Sequence, residues 1–128
     1  MPTARRRQSD IAQHLMHSAT GYAGERGYRL GDGAESLMQA TMAKAARRIS
    51  YRAGRMVSAQ PPVVGERSRA EVEAQLLAQA ERQTHTLIDA MIEASQVIPN
   101  YAAERPGIIG EQTYDGALRL ICPLWPFC

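Results

Sequence analysis

From Ser68 to Ile98 the chain carries one continuous helical pattern of about eight turns, with a start and a stop written into it. Ser68-Arg69-Ala70-Glu71 has the form of a capping box, in which the serine oxygen accepts from a backbone N–H and Glu71 reaches back to the cap. Pro99 ends the segment, because proline disfavours helical geometry in the residue before it. Between these marks Val72, Leu76, Ala80, Leu87, Met91, Ala94 and Ile98 fall on one stripe. Leu77, Thr84, Ile88 and Ile92 widen it beyond what one partner helix needs. Glu71, Gln75, Arg82, Thr86, Asp89 and Glu93 take the wet side.

A second long helix is expected from Gly33 to Ala59, opened by Asp32 with Glu35 three positions on and closed by Pro61-Pro62. Its stripe is Leu37, Met38, Thr41, Met42, Ala45, Ile49, Ala53 and Met56. The linker of residues 60–67 is short, so the two long helices should fold back on each other as an antiparallel hairpin. Upstream, residues 10–19 read as a short helix through Ile11, Leu15 and Ala19, and the glycine-rich stretch 21–33 reads as a loop. Downstream, a turn-rich connection leads to a last short helix through Tyr114, Ala117, Leu118 and Ile121. The expectation is an all-α fold: a small helical bundle built on an antiparallel long-helix hairpin, 33–59 and 68–98, with short helices at both ends. One domain, 10–121, would lie between a flexible basic arm, 1–9, and an apolar tail, 122–128.

Composition agrees with helices that approach closely. Twenty alanines and six methionines stand against one Phe and one Trp, both in the last four residues. Such a hairpin exposes more apolar flank than one short N-terminal helix covers, so either the C-terminal segment or another chain must shield it. Leu77, Ile88, Ile92, Leu124, Trp125 and Phe127 are the interface candidates for a protein partner, including a second copy. The tail could equally fold onto its own hairpin. A non-catalytic interaction or assembly subunit, without a cofactor, is the first functional expectation.

The net charge of +2 conceals an asymmetry. Residues 1–55 carry ten Lys/Arg against four Asp/Glu, and residues 56–128 five against nine. Lys44, Arg47, Arg48, Arg52 and Arg55 lie on or beside the arc opposite the second helix's stripe, and Arg5, Arg6 and Arg7 add to them. Clustered cations of this kind can contact phosphates, so a nucleic-acid-binding helical protein is the alternative. The plainer reading is a solvated face, or one paired with the acidic side of the third helix.

Other constellations are weaker. Asp10, His14 and His17 share one face but have no second ligand pair at matching spacing. The glycines lack the strand and the Gly-Lys-Ser/Thr ending that a phosphate loop requires. Cys122 and Cys128 enclose five residues and are candidates for a disulfide only in an oxidising compartment. No apolar run spans a membrane and no cleavable signal is visible, so a cytoplasmic protein, or one delivered without a cleaved signal peptide, is expected.

Pro106-Gly107-Ile108-Ile109-Gly110-Glu111-Gln112-Thr113 resembles the turn-and-helix segment of the small helical peptidoglycan-binding module. The match lies in a Gly-x-x-Gly-x-x-Thr pattern formed by Gly107, Gly110 and Thr113, with Pro106 where an acidic residue is usual. The resemblance covers about a dozen residues and implies cell-wall binding as a third reading.

Overall fold

Both long helices stand within a few residues of their expected bounds. The computed structural model describes residues 4–58, 65–97, 107–121 and 124–127. Its elements are α1 (Ala4–Glu25), β1 (Arg29–Leu30), α2 (Asp32–Ser58), α3 (Gly65–Val97), β2 (Ile108–Ile109) and α4 (Glu111–Ile121). Asp32 and Glu35 occupy the first turn of α2, where the helix dipole favours carboxylates. Helix α3 begins three residues ahead of Ser68, since Glu66 and Arg67 are good helix formers and the nearest proline lies further upstream. Ile98 and Pro99 lie outside the described residues.

Helix α1 departs most from expectation. It has 22 residues, includes the backbone of residues 4–9, and passes straight through Gly21 and Gly24. Both glycines are exposed, and a Cβ at either would meet nothing within 4 Å. Their helix-weakening entropy is offset by Ile11, Leu15, Ala19 and Ala23, which recur every four residues and are all buried. Only Gly27 breaks the helix, at φ +81°. There Tyr28 N–H donates to Ala23 O at 2.9 Å and Gly27 N–H to Gly24 O at 3.0 Å, the paired bonds of a Schellman cap.

Cross-helix contacts set the directions. His14 Nε2 lies 2.6 Å from Glu81 Oε1, Ser18 Oγ lies 3.0 Å from His85 Nε2, and Tyr22 Oη donates to the Asp89 carboxylate at 2.9 Å. Each pair advances by one turn on both helices, so α1 and α3 run parallel. Helix α2 runs against them: its C-terminal turns meet Gln8 of α1 and Arg69 of α3. Helix α4 follows α2, with the Tyr114 hydroxyl hydrogen-bonded to Thr41 Oγ1 and 3.4 Å from Leu37 O. The result is an up-down-up-down bundle in which α1, α2 and α3 pack on one another and α4 lies against α2 and α3.

A two-residue parallel ladder ties the ends together, pairing Arg29 with Ile108 and Leu30 with Ile109. After it the two segments behave alike. Gly31 O accepts from Glu35 N–H at 2.8 Å, and Gly110 O accepts from Tyr114 N–H at 3.0 Å, so each glycine carbonyl starts a helix.

The core holds Leu15, Met38, Met42, Ile49, Leu87, Ile88, Met91, Ile109 and Tyr114, all fully buried. Ala34, Ala45, Ala46, Ala53, Ala80 and Ala117 are fully buried between them, which lets the helix axes approach closely. Thr84 is buried too, its hydroxyl donating to Ala80 O at 2.8 Å. The apolar flank expected to need outside cover is therefore largely covered from within. The reason is the length of α1, which lies along the hairpin for twice the span expected.

Candidate functional site

The exposed arc of α2 gathers the chemistry left over once the core is accounted for. Lys44, Arg47, Arg48, Tyr51, Arg52 and Arg55 fall within an arc of roughly 140° at about 100° per residue. All but Arg48 are exposed, and Arg48 is half-buried. Met38, Met42, Ala45, Ile49 and Ala53 hold the opposite side in the core, which forces these cations outward. Among the described residues the ion pairs are His14–Glu81, Arg26–Asp89 and Arg69–Glu73, and none involves a cation of this arc.

Two clefts flank the arc. One, of about 440 Å³, is lined by Arg48, Tyr51, Arg52, Arg55, Met56 and Trp125. The other, of about 600 Å³, is lined by Arg47, Ser50, Tyr51, Gly54, Arg55 and Ser58 of α2, with Gln8 and Arg69 from α1 and α3. Tyr51 and Arg55 form the shared ridge. Neither cleft has a carboxylate in its described lining, although Arg69 Nε lies 3.5 Å from Glu73 Oε1.

The tail builds one wall. Leu124 N–H donates to Ile121 O and Phe127 N–H to Leu124 O, turning the chain back after α4. The Trp125–Pro126 peptide bond is cis, and Pro126 and Phe127 are buried. Trp125 stays half-exposed with the Arg52 guanidinium 4.6 Å over its ring. The Arg55 guanidinium lies 6.0 Å over the ring of Tyr51, which is 68% exposed. Two cation–π pairs thus hold planar cations at the exposed rim of the cleft, within reach of an incoming anion.

The interface candidates are dispersed by this geometry. Ile88 and Phe127 are inside the chain's own core and offer no surface to a partner. Leu77 and Ile92 are half-buried against that core. Leu124 is exposed, as is Leu120 of α4 at 76%. Side chains of Arg5, Arg6 and Arg7, and both Cys122 and Cys128, lie outside the described residues. His14 is engaged with Glu81, and among the described residues no group of three His, Cys, Asp or Glu is placed to hold a metal. The glycines of the Gly-x-x-Gly-x-x-Thr pattern serve the fold: Gly107 O accepts from Arg29 N–H, Gly110 starts α4, and Thr113 is buried. No helix among the described residues is long and apolar enough to cross a membrane.

Sequence reasoning places Tyr51 among the cations of this face but does not single out Met56, Ser58 and Arg69 as site residues. Tyr51 is legible because it sits three and four positions from Arg48, Arg47 and Arg55 on one helical face. Arg52 meeting Trp125 depends on the path of the tail and leaves no local signal. Comparison with protein-family models, with curated proteins and with solved structures finds no match.

Proposed function

We propose that the protein is a non-catalytic nucleic-acid-binding helical bundle whose working face is the exposed arc of α2. The observation that carries this reading is five cations, Lys44, Arg47, Arg48, Arg52 and Arg55, on one face without an acidic partner among the described residues. Solvated cations on a rigid helix lose little on meeting phosphates, and release of condensed counterions drives the association. One exposed ring, Tyr51, and one half-exposed ring, Trp125, within the same patch suit nucleic acid better than a bare electrostatic surface would.

The test is binding of labelled oligonucleotides, followed by fluorescence anisotropy across a salt series. If all five cations meet phosphates, log K falls with log[salt] at a slope of about −4.5 for duplex or about −3.5 for a single strand. Between about 50 and 200 mM salt the affinity then drops roughly 100- to 500-fold. Replacing Arg52 and Arg55 by Ala flattens the slope by roughly 1.4 to 1.8. Binding that is absent, or that ignores salt, defeats the proposal.

A protein partner, including a second copy, is the second reading, favoured by Leu120 on α4 and Leu124 just after it standing exposed. Self-association would appear in light scattering as a mass above 14.1 kDa that rises with concentration.

A further inference from the structure

The two clefts differ in chemistry, and the difference bears on which form of nucleic acid the face accepts. The 440 Å³ cleft joins flat surfaces, Trp125 capped by Arg52 and Tyr51 capped by Arg55, to the thioether of Met56. Among its described lining residues the 600 Å³ cleft has no ring but Tyr51, and it is lined by Arg47, Arg55 and Arg69, the last 3.5 Å from the Glu73 carboxylate. One cleft is suited to planar apolar groups and the other to anions, and they share the Tyr51–Arg55 ridge. Both volumes lie in the range that holds a small-molecule-sized group.

We propose that this pair of clefts takes a short run of single-stranded nucleic acid, with bases against the Arg52–Trp125 and Arg55–Tyr51 stacks and a phosphate among Arg47, Arg55 and Arg69. The inference rests on the nucleic-acid reading above and narrows it. A base can cap an exposed guanidinium or ring only if its own face is free, and in a duplex neighbouring pairs cover that face. Arg52 and Arg55 stand about 4.5 Å apart along the helix axis, against about 3.4 Å between stacked nucleotides of one strand. Consecutive, slightly extended nucleotides match that step. Duplex entry is disfavoured by shape. A helix that reads a major groove of about 12 Å must project from its protein, whereas this arc is bordered by Trp125 on one side and by Gln8 and Arg69 on the other.

Trp125 is the only tryptophan, so its fluorescence reports directly on stacking. The experiment compares four ligands of equal charge: a single-stranded oligothymidine, the same backbone without bases, a duplex, and polyglutamate. Oligothymidine is expected to quench Trp125 and to bind roughly tenfold or more tighter than the abasic strand. Tyr51→Ala, at an exposed position that leaves the core untouched, should weaken oligothymidine by roughly five- to a hundredfold, well beyond its effect on the abasic strand. Arg47→Ala should flatten the single-strand salt slope by about 0.7. Equal affinity for strands with and without bases overturns the proposal, and so does polyglutamate binding as tightly as oligothymidine. Tighter, salt-dependent duplex binding overturns it while leaving the broader nucleic-acid reading intact, and failure of every nucleic acid to bind removes both.

Discussion

Ile88→Ala distinguishes a core built by one chain from a surface completed by another. Ile88 is fully buried on α3, next to Leu87 and close in helical phase to Met91. Truncation to Ala removes three carbons, about 2.4 kcal/mol of transfer free energy at about 0.8 kcal/mol each. A cavity term adds to this because packed helices relax only partly, so the total should be roughly 3–4 kcal/mol, within the usual range for such truncations. With a urea slope of about 2 kcal/mol/M, the unfolding midpoint should fall by roughly 1.5–2 M. The assay is urea unfolding followed by circular dichroism at two protein concentrations tenfold apart. If α1, α2 and α3 of one chain bury this residue, the shift is the same at both concentrations. A midpoint that climbs with concentration in the parent and stops climbing in the variant would show that Ile88 is covered by a second chain. A loss below about 1 kcal/mol would refute close packing around Ile88 altogether. Leu120→Ala supplies the internal control: the same class of truncation at a 76% exposed site should cost no more than about 0.5 kcal/mol.

Three further expectations concern Tyr114 and two glycines. Burial raises the Tyr114 pKa above its ordinary value of 10.0, with the nearby Asp115 charge adding to the rise and the Thr41 hydrogen bond opposing it. The folded chain thus keeps a proton that the unfolded chain releases, so stability is intact below pH 10 and declines as pH climbs through the folded value. Tyr114→Phe should cost about 1 kcal/mol at pH 8 and lose part of that alkaline decline, read as urea midpoints at neutral and alkaline pH. Gly107 adopts φ +80°, and a Cβ there would stand 3.2 Å from Gly27 O, so Gly107→Ala should destabilise by about 1–2 kcal/mol in a thermal melt. Gly24→Ala, helical and facing open space, should instead stabilise by about 0.5–1 kcal/mol.

The long helices were legible because their signals are local. Asp32 with Glu35 and the prolines at 61 and 62 bracket α2, and the apolar residues of α3 recur often enough to fix its buried side. What escaped detection depends on distance. Glycine count pointed to a loop at 21–33, yet Gly21 and Gly24 lie on the solvent side of α1, where a missing side chain removes no contact. Their neighbours Ala19 and Ala23 decide the matter by packing. The β1–β2 ladder is two residues long and joins opposite parts of the chain, so no alternation announces it. At the working face the same division holds. The cations of α2 could be read from helical spacing, but the meeting of Arg52 with Trp125 is made by the route of the tail.

The pairing of Arg29 with Ile108 has a consequence for how the molecule is made. While the chain is being synthesised, α1, α2 and α3 can all leave the ribosome before the carbonyls of Gly107 and Ile109 exist to receive the amides of Arg29 and Gly31. Until then the amides of Arg29 and Gly31 have hydrogen bonds to water alone, while the local cap around Gly27 is already complete. Closing a loop of this length late carries an entropic cost that grows only with the logarithm of the span, roughly 4 kcal/mol for about eighty residues. The corner should therefore be the last amides to gain protection from hydrogen exchange during refolding, and the first to lose it when α4 loosens.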